Sequence, residues 1–92
     1  MRATLLLRER TDLGGAFVEL VIWQLPRKLP GSEHRYKYRL ALIHQGVCVV
    51  RYDNEAGKGN HRHIGRHEEP YQFVDLETLI HDFRVAIREY LK

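Results

Sequence analysis

One stretch of this chain repeats with the period of a helix, and it comes last. Leu76, Leu79, Ile80, Phe83, Ile87 and Leu91 recur at spacings of three and four and form an apolar stripe. Asp75 stands in the capping position, Glu77 begins the helix, and Arg88 and Lys92 finish it in accord with the helix dipole. His81, Arg84 and Arg88 follow one another on the other side, which suits a solvated face or an extension of a basic surface. The 92 residues make one domain, with room for one sheet and one or two helices. Strands followed by a single amphipathic helix imply that the helix lies across one face of a sheet too wide for it to cover.

The strands read from their own periods. Ala3 to Arg10 and Phe17 to Leu25, with Asp12-Leu13-Gly14-Gly15 between them, predict a hairpin. Glu19 and Gln24 fall on opposite parities, so the second strand is central and covered on both faces, or bulged. Pro26, Pro30 and Gly31 end it. Arg35 to Ile43 alternates, with Tyr36, Tyr38, Leu40 and Leu42 on one face and Arg35, Lys37 and Arg39 on the other. Gln45-Gly46 turns this strand into Val47 to Tyr52. After Pro70, Tyr71-Gln72-Phe73 reads as a short fifth strand or an extended connector. The expected fold class is α+β: a meandering antiparallel sheet of four to five strands with a C-terminal α-helix packed on one face, in a single domain over residues 1–92. Phe17, Trp23, Tyr36 and Tyr38 leave apolar area for a second copy of the chain or another protein, so a homodimer or an obligate partner is expected.

Composition narrows the class further. The formal charge is +3 and the sequence pI about 9.2, which suits a polyanionic partner without requiring one. Cys48 is the only cysteine, which excludes an intramolecular disulfide and a four-thiolate zinc site; inside Val47-Cys48-Val49-Val50 it reads as a small buried hydrophobe. That usage fits a cytoplasmic protein. No apolar run reaches the roughly 18–20 residues of a membrane span, and Leu5-Leu6-Leu7 is too short for a signal-peptide core, so no membrane partner is expected.

Between the strands and the helix, Tyr52 to His67 concentrates three imidazoles, three cationic side chains and two carboxylates. Gly57-Lys58-Gly59 lacks the spacing of a nucleotide P-loop, but its glycines allow a sharp turn and a close backbone approach to a phosphate. If the segment is extended, His61 and His63 share one side and Arg62 points away. Two imidazoles on one face suit metal-independent RNA cleavage. One takes the 2′-hydroxyl proton, the other serves the leaving oxygen, and Lys58 with Arg62 or Arg66 stabilises the phosphoryl charge. Asp53 or Glu55 is placed to orient an imidazole through its other nitrogen. His61, His63, His67 and Asp53 also have the donor types of a zinc site, but the nearby cations repel a dication and no second Cys or His cluster completes a familiar spacing. No metal or other cofactor is expected. The same histidines, with Glu55, Glu68 and Glu69, also fit a merely solvated charged surface, and His34 and His44, isolated at strand ends, go with that description. A rival from another class is a non-catalytic module in which Arg35, Lys37 and Arg39, with Tyr71, hold nucleic acid or an acidic helix of a partner. The candidate nucleic-acid contacts are thus Arg35, Lys37, Arg39, Arg62 and Arg66.

These residues also carry a resemblance. It runs through the aliphatic N-terminal strand, Ile22-Trp23 with Pro26 and Pro30-Gly31, and His34-Arg35-Tyr36-Lys37-Tyr38-Arg39-Leu40. It continues through Tyr52-Asp53-Asn54-Glu55, Gly57-Lys58-Gly59-Asn60-His61-Arg62-His63, and Glu69-Pro70-Tyr71 with Phe73. Over nearly its whole length the chain resembles the TumE family of toxins from bacterial type II toxin-antitoxin systems, and the run from Tyr52 to His63 is the specific part. The resemblance implies a growth-inhibiting toxin neutralised by a cognate helix-turn-helix antitoxin and, by comparison with other small toxins, an activity directed at RNA. It carries over no catalytic residue. The roles of His61, His63, Lys58 and Asp53 rest on their chemistry alone.

Overall fold

The computed structural model describes residues 2–92. Strands β1 (Thr4–Asp12), β2 (Ala16–Gln24), β3 (Tyr36–His44), β4 (Val47–Glu55), β5 (Gly59–Ile64) and β6 (His67–Pro70) form one antiparallel sheet, and each pairs with the next in sequence. Helix α1 (Leu76–Tyr90) follows and packs on β3 and β4. The α+β class with a C-terminal helix is as the periodicity predicts, but six strands replace the expected four to five. The additional strands come from the histidine-rich segment, to which the residue pattern assigns no strand and which folds back as β5 and β6. Tyr71–Phe73 is not a strand; it runs as a connector whose Tyr71 N–H donates to the Asn60 carbonyl at 3.0 Å.

Alternation decides which side chains meet the helix. Val18, Leu20 and Ile22 of β2, Tyr38, Leu40 and Leu42 of β3, and Val50 and Tyr52 of β4 are buried with Leu79, Phe83 and Ala86 of α1. Ala86 takes a core place, whereas Leu91, which continues the apolar period, caps the helix and is exposed. Gln45 and Gly46 both adopt positive φ, 51° and 79°, the two-residue turn whose twist suits a hairpin. Gly57 donates its N–H to the Pro30 carbonyl at 2.7 Å, so the tip between β4 and β5 packs on the Pro30-Gly31 loop.

The aromatic residues are largely occupied within the chain. Tyr38 is buried with its ring stacked on Phe73 at 6.0 Å, and Tyr36 also lies 6.0 Å from Phe73. Arg10 lies 3.9 Å over the Phe17 ring, whereas Trp23, with Arg8 6.0 Å from its centroid, is half-buried and still lines an open cleft. This leaves less apolar area for a second copy than the number of aromatics implies.

At one end β3 and β4 separate, since their ladder begins only at Arg39 opposite Asp53. The buried Asn54 side chain takes over there: its Oδ1 accepts from the Tyr38 N–H at 3.0 Å and its Nδ2 donates to the Tyr36 carbonyl at 2.7 Å. Asn54→Ala strips both backbone groups of their partners in a dry site, and the expected loss is about 2–4 kcal/mol in urea unfolding. A loss below about 1 kcal/mol contradicts this account.

Asp75 caps the helix as its position predicts, with Oδ1 accepting from the Thr78 N–H at 2.7 Å. That bond to the charged form holds the Asp75 carboxyl below its ordinary value. A depressed folded value means that the stabilisation is fully present above the unfolded carboxylate range and fades as pH falls through the folded one. Asp75→Ala is expected to lower Tm by several degrees at pH 7 and to bring a smaller change at pH 3, measured by circular dichroism.

Candidate functional site

The strand register assembles a charged site on the sheet face away from α1. In β4, Val50, Tyr52 and Asn54 point to the core, so Arg51 and Asp53 point to the opposite face. Arg39 of β3 pairs with Asp53, Asp53 pairs with His61 of β5, and Arg51 pairs with His63, which in turn pairs with Glu68 of β6. Residues directly opposite in an antiparallel ladder share a face and lie within reach of one another. His61, His63, Asp53, Arg51, Arg39 and Glu68 therefore occupy one side.

Within this group His63 is the most closely partnered. Arg51 Nη2 approaches His63 Nε2 at 2.7 Å, and Glu68 Oε2 stands 3.2 Å from the same nitrogen. A donor and an acceptor thus compete for one atom. Unprotonated, Nε2 accepts from the guanidinium; protonated, it donates to the carboxylate. Arg51 Nε stands 3.2 Å from Asp53 Oδ2, close enough for an ion pair but misaligned for a hydrogen bond, which leaves this buried N–H unsatisfied. Asp53 holds the guanidinium beside the ring.

His61 is more enclosed. Its Nδ1 lies 3.8 Å from Glu68 Oε1, and its Nε2 is covered and makes no hydrogen bond among the described residues. The two side chains are 18% and 26% exposed, so His63 is the more reachable ring. One carboxylate, Glu68, serves both.

The remaining candidates are distributed around this group. Lys58 projects from the β4–β5 tip and pairs with Glu55 at 3.7 Å. Lys37 bonds the Asn54 carbonyl, Arg35 is exposed just before β3, and Arg66 is exposed in the β5–β6 turn. Arg62 lies across the sheet, on the helix side, where it bonds Glu69 and reaches the Tyr52 hydroxyl at 3.3 Å. Its guanidinium holds the Glu69 carboxyl below the usual carboxylate range. An Arg62 so placed cannot share a phosphate with His61 and His63. Tyr71 is on the helix side too: its hydroxyl donates to Asp82 at 2.6 Å and its ring meets Tyr52 edge-on at 5.0 Å. Burial, then the Asp82 bond, pushes its phenol up. It shares no surface with Arg35, Lys37 and Arg39.

His67 pairs with Glu69 at 3.4 Å, apart from His61 and His63. Among the described residues no three His, Cys, Asp or Glu side chains converge as metal ligands do. His34 is not an isolated strand-end residue: Nδ1 accepts from the Tyr36 N–H at 3.1 Å, Nε2 lies 2.8 Å from Asn60 Oδ1, and the ring sits 4.0 Å from Phe73. Its role is to pin the entry to β3. Arg51 is the residue that reading the sequence missed. The available signal was parity, because Arg51 and Asp53 alternate with core residues at 50, 52 and 54.

The architecture is that of a small single-helix α+β domain with an ionisable open sheet face. A family model described as Toxin TumE matches residues 2–91, and the chain belongs to that family of toxins. No curated protein and no solved structure matches it. No helix among the described residues is long and apolar enough to cross a membrane.

Proposed function

We propose that this toxin cleaves RNA without a metal, through the sheet face away from α1. The observation that carries the reading is His63 Nε2 poised between Arg51 at 2.7 Å and Glu68 at 3.2 Å, beside a second imidazole. His63 takes the 2′-hydroxyl proton as that oxygen attacks phosphorus, and the new charge on Nε2 is met by Glu68. Arg51, released from the ring, turns to the phosphoryl oxygens. The bond from phosphorus to the 5′ oxygen breaks, and His61, with Glu68 behind Nδ1, gives that oxygen its proton. The products are a 2′,3′-cyclic phosphate and a 5′-hydroxyl. Asp53 positions Arg51, and Lys58 adds charge at the approach. RNA must displace the cover over His61 Nε2 to complete the site.

The covered His61 Nε2 favours a second reading, a non-catalytic module that holds nucleic acid or an acidic helix of a partner. Purified protein incubated with excess RNA and EDTA separates the two. Products that accumulate beyond one equivalent and end in cyclic phosphate support cleavage; saturation at stoichiometric amounts supports binding alone. Membership in a toxin family supports an antitoxin as partner. That the antitoxin is a helix-turn-helix protein, that the toxin is a homodimer and that it acts in the cytoplasm belong to the same proposal. Light scattering of the toxin alone and of the pair co-expressed tests the assembly.

A further inference from the structure

Beside the imidazole group, on the same face, a cleft of about 280 Å³ opens where β3 and β4 separate. Its walls include Val21 and Trp23 of β2, Lys37 and Arg39 of β3, and Asp53 and Glu55 of β4. The combination is specific: an aromatic ring and an aliphatic side chain on one side, two cations in the middle and two carboxylates on the other. Trp23 pairs with Lys37 across the ladder, and Arg8 lies 6.0 Å over its ring, so the aromatic surface is flanked by positive charge. We propose that this cleft is a nucleobase subsite, in which Trp23 stacks a base and Arg39 and Arg8 meet its flanking phosphates.

The carboxylates give the subsite a preference. Asp53 is paired to Arg51 and Glu55 to Lys58, yet each carboxylate has about four acceptor positions, so both retain capacity for a base edge. An exocyclic amino group, as on cytosine, adenine or guanine, donates to such an acceptor, whereas uracil presents carbonyl oxygens along most of its edge. The cleft therefore prefers amino-bearing bases to uracil. β2 and β5 are three strand spacings apart, on the order of 14 Å, so the stacked base belongs to a nucleotide flanking the broken linkage rather than adjoining it.

This subsite rests on the RNA reading above, and its test is independent of cleavage. Trp23 is the chain's only tryptophan, so fluorescence excited at the red edge of the indole band, beyond tyrosine absorption, reports this site alone. The full chain is titrated with short oligomers of deoxycytidine, deoxyadenosine and deoxyuridine, which lack the 2′-hydroxyl, while fluorescence anisotropy of labelled oligomers records total binding. Saturable quenching by the cytosine and adenine oligomers is expected, with several-fold weaker binding of the uracil oligomer. Trp23→Ala is expected to weaken binding roughly 10- to 100-fold, and Trp23→Phe to restore most of it. Glu55→Gln, at an exposed position, is expected to narrow the cytosine-over-uracil ratio. Oligomer binding without quenching, or unchanged affinity in folded Trp23→Ala, overturns the subsite and leaves cleavage standing if RNA is still cut. Quenching with the stated preference but no RNA turnover supports the subsite and overturns the cleavage mechanism. Absence of both binding and turnover overturns both.

Discussion

His63→Ala is expected to slow RNA cleavage by about 10²–10⁴-fold, the range for loss of a positioned proton-transfer group. The effect follows from the atoms around Nε2, where Arg51 stabilises the neutral ring as acceptor and Glu68 the charged ring as donor. Removing the ring also leaves the Arg51 guanidinium without a partner on that side. His61→Ala is expected to reduce cleavage to a similar degree, because acid and base act in one transition state and their losses are not additive. Arg62→Ala, on the opposite side of the sheet, is expected to leave the chemical step unchanged and to weaken the β5–β6 hairpin. Gel assays of product formation under single-turnover conditions, with circular dichroism of each variant, read these outcomes. Wild-type rates in folded His63→Ala and His61→Ala proteins remove the acid–base mechanism.

Phe83→Ala is expected to cost about 3–5 kcal/mol, the range for truncating a fully buried aromatic ring. Phe83 is fully buried and meets Tyr52 at a ring distance of 5.9 Å, so truncation opens a cavity between α1 and the centre of the sheet. A domain of this length holds on the order of 5–14 kcal/mol in all. The expected fall in Tm is on the order of 15–30 °C. Val85→Ala on the same helix, exposed to solvent, serves as the control and is expected to shift Tm by no more than a few degrees. Similar midpoints for the two variants contradict a core centred on Phe83. Because α1 packs on β3 and β4, the loss also reaches the strands that carry Arg39, Arg51 and Asp53.

The legible parts of the chain were those where burial on one face writes a period. Tyr36, Tyr38, Leu40 and Leu42 alternate with cations because one side of β3 meets the helix, and the helix itself shows its stripe for the same reason. β5 and β6 show no such period. The residues of β5 on the helix side are Asn60, Arg62 and Ile64, and two of these are polar because they bond Tyr38, His34, Tyr52 and Glu69 instead of filling a hydrophobic gap. A strand that buries hydrogen-bonded polar groups shows no apolar alternation, and that accounts for the miscounted sheet.

Residue types and their spacing determined that a capped helix begins after Asp75 and that, once the segment is extended, His61 and His63 share a side and Arg62 points away from them. Those are consequences of local geometry, since the backbone period sets direction within any one element. The tertiary structure decided which other elements stand beside each side. Register between strands brought Arg51 and Glu68 to the imidazoles and set Trp23 beside the same open surface, while the connector into α1 carried Tyr71 to the far face. Strand register arises from long-range pairing, where each residue's neighbour is chosen by packing of the whole sheet against one helix, and no local spacing encodes it.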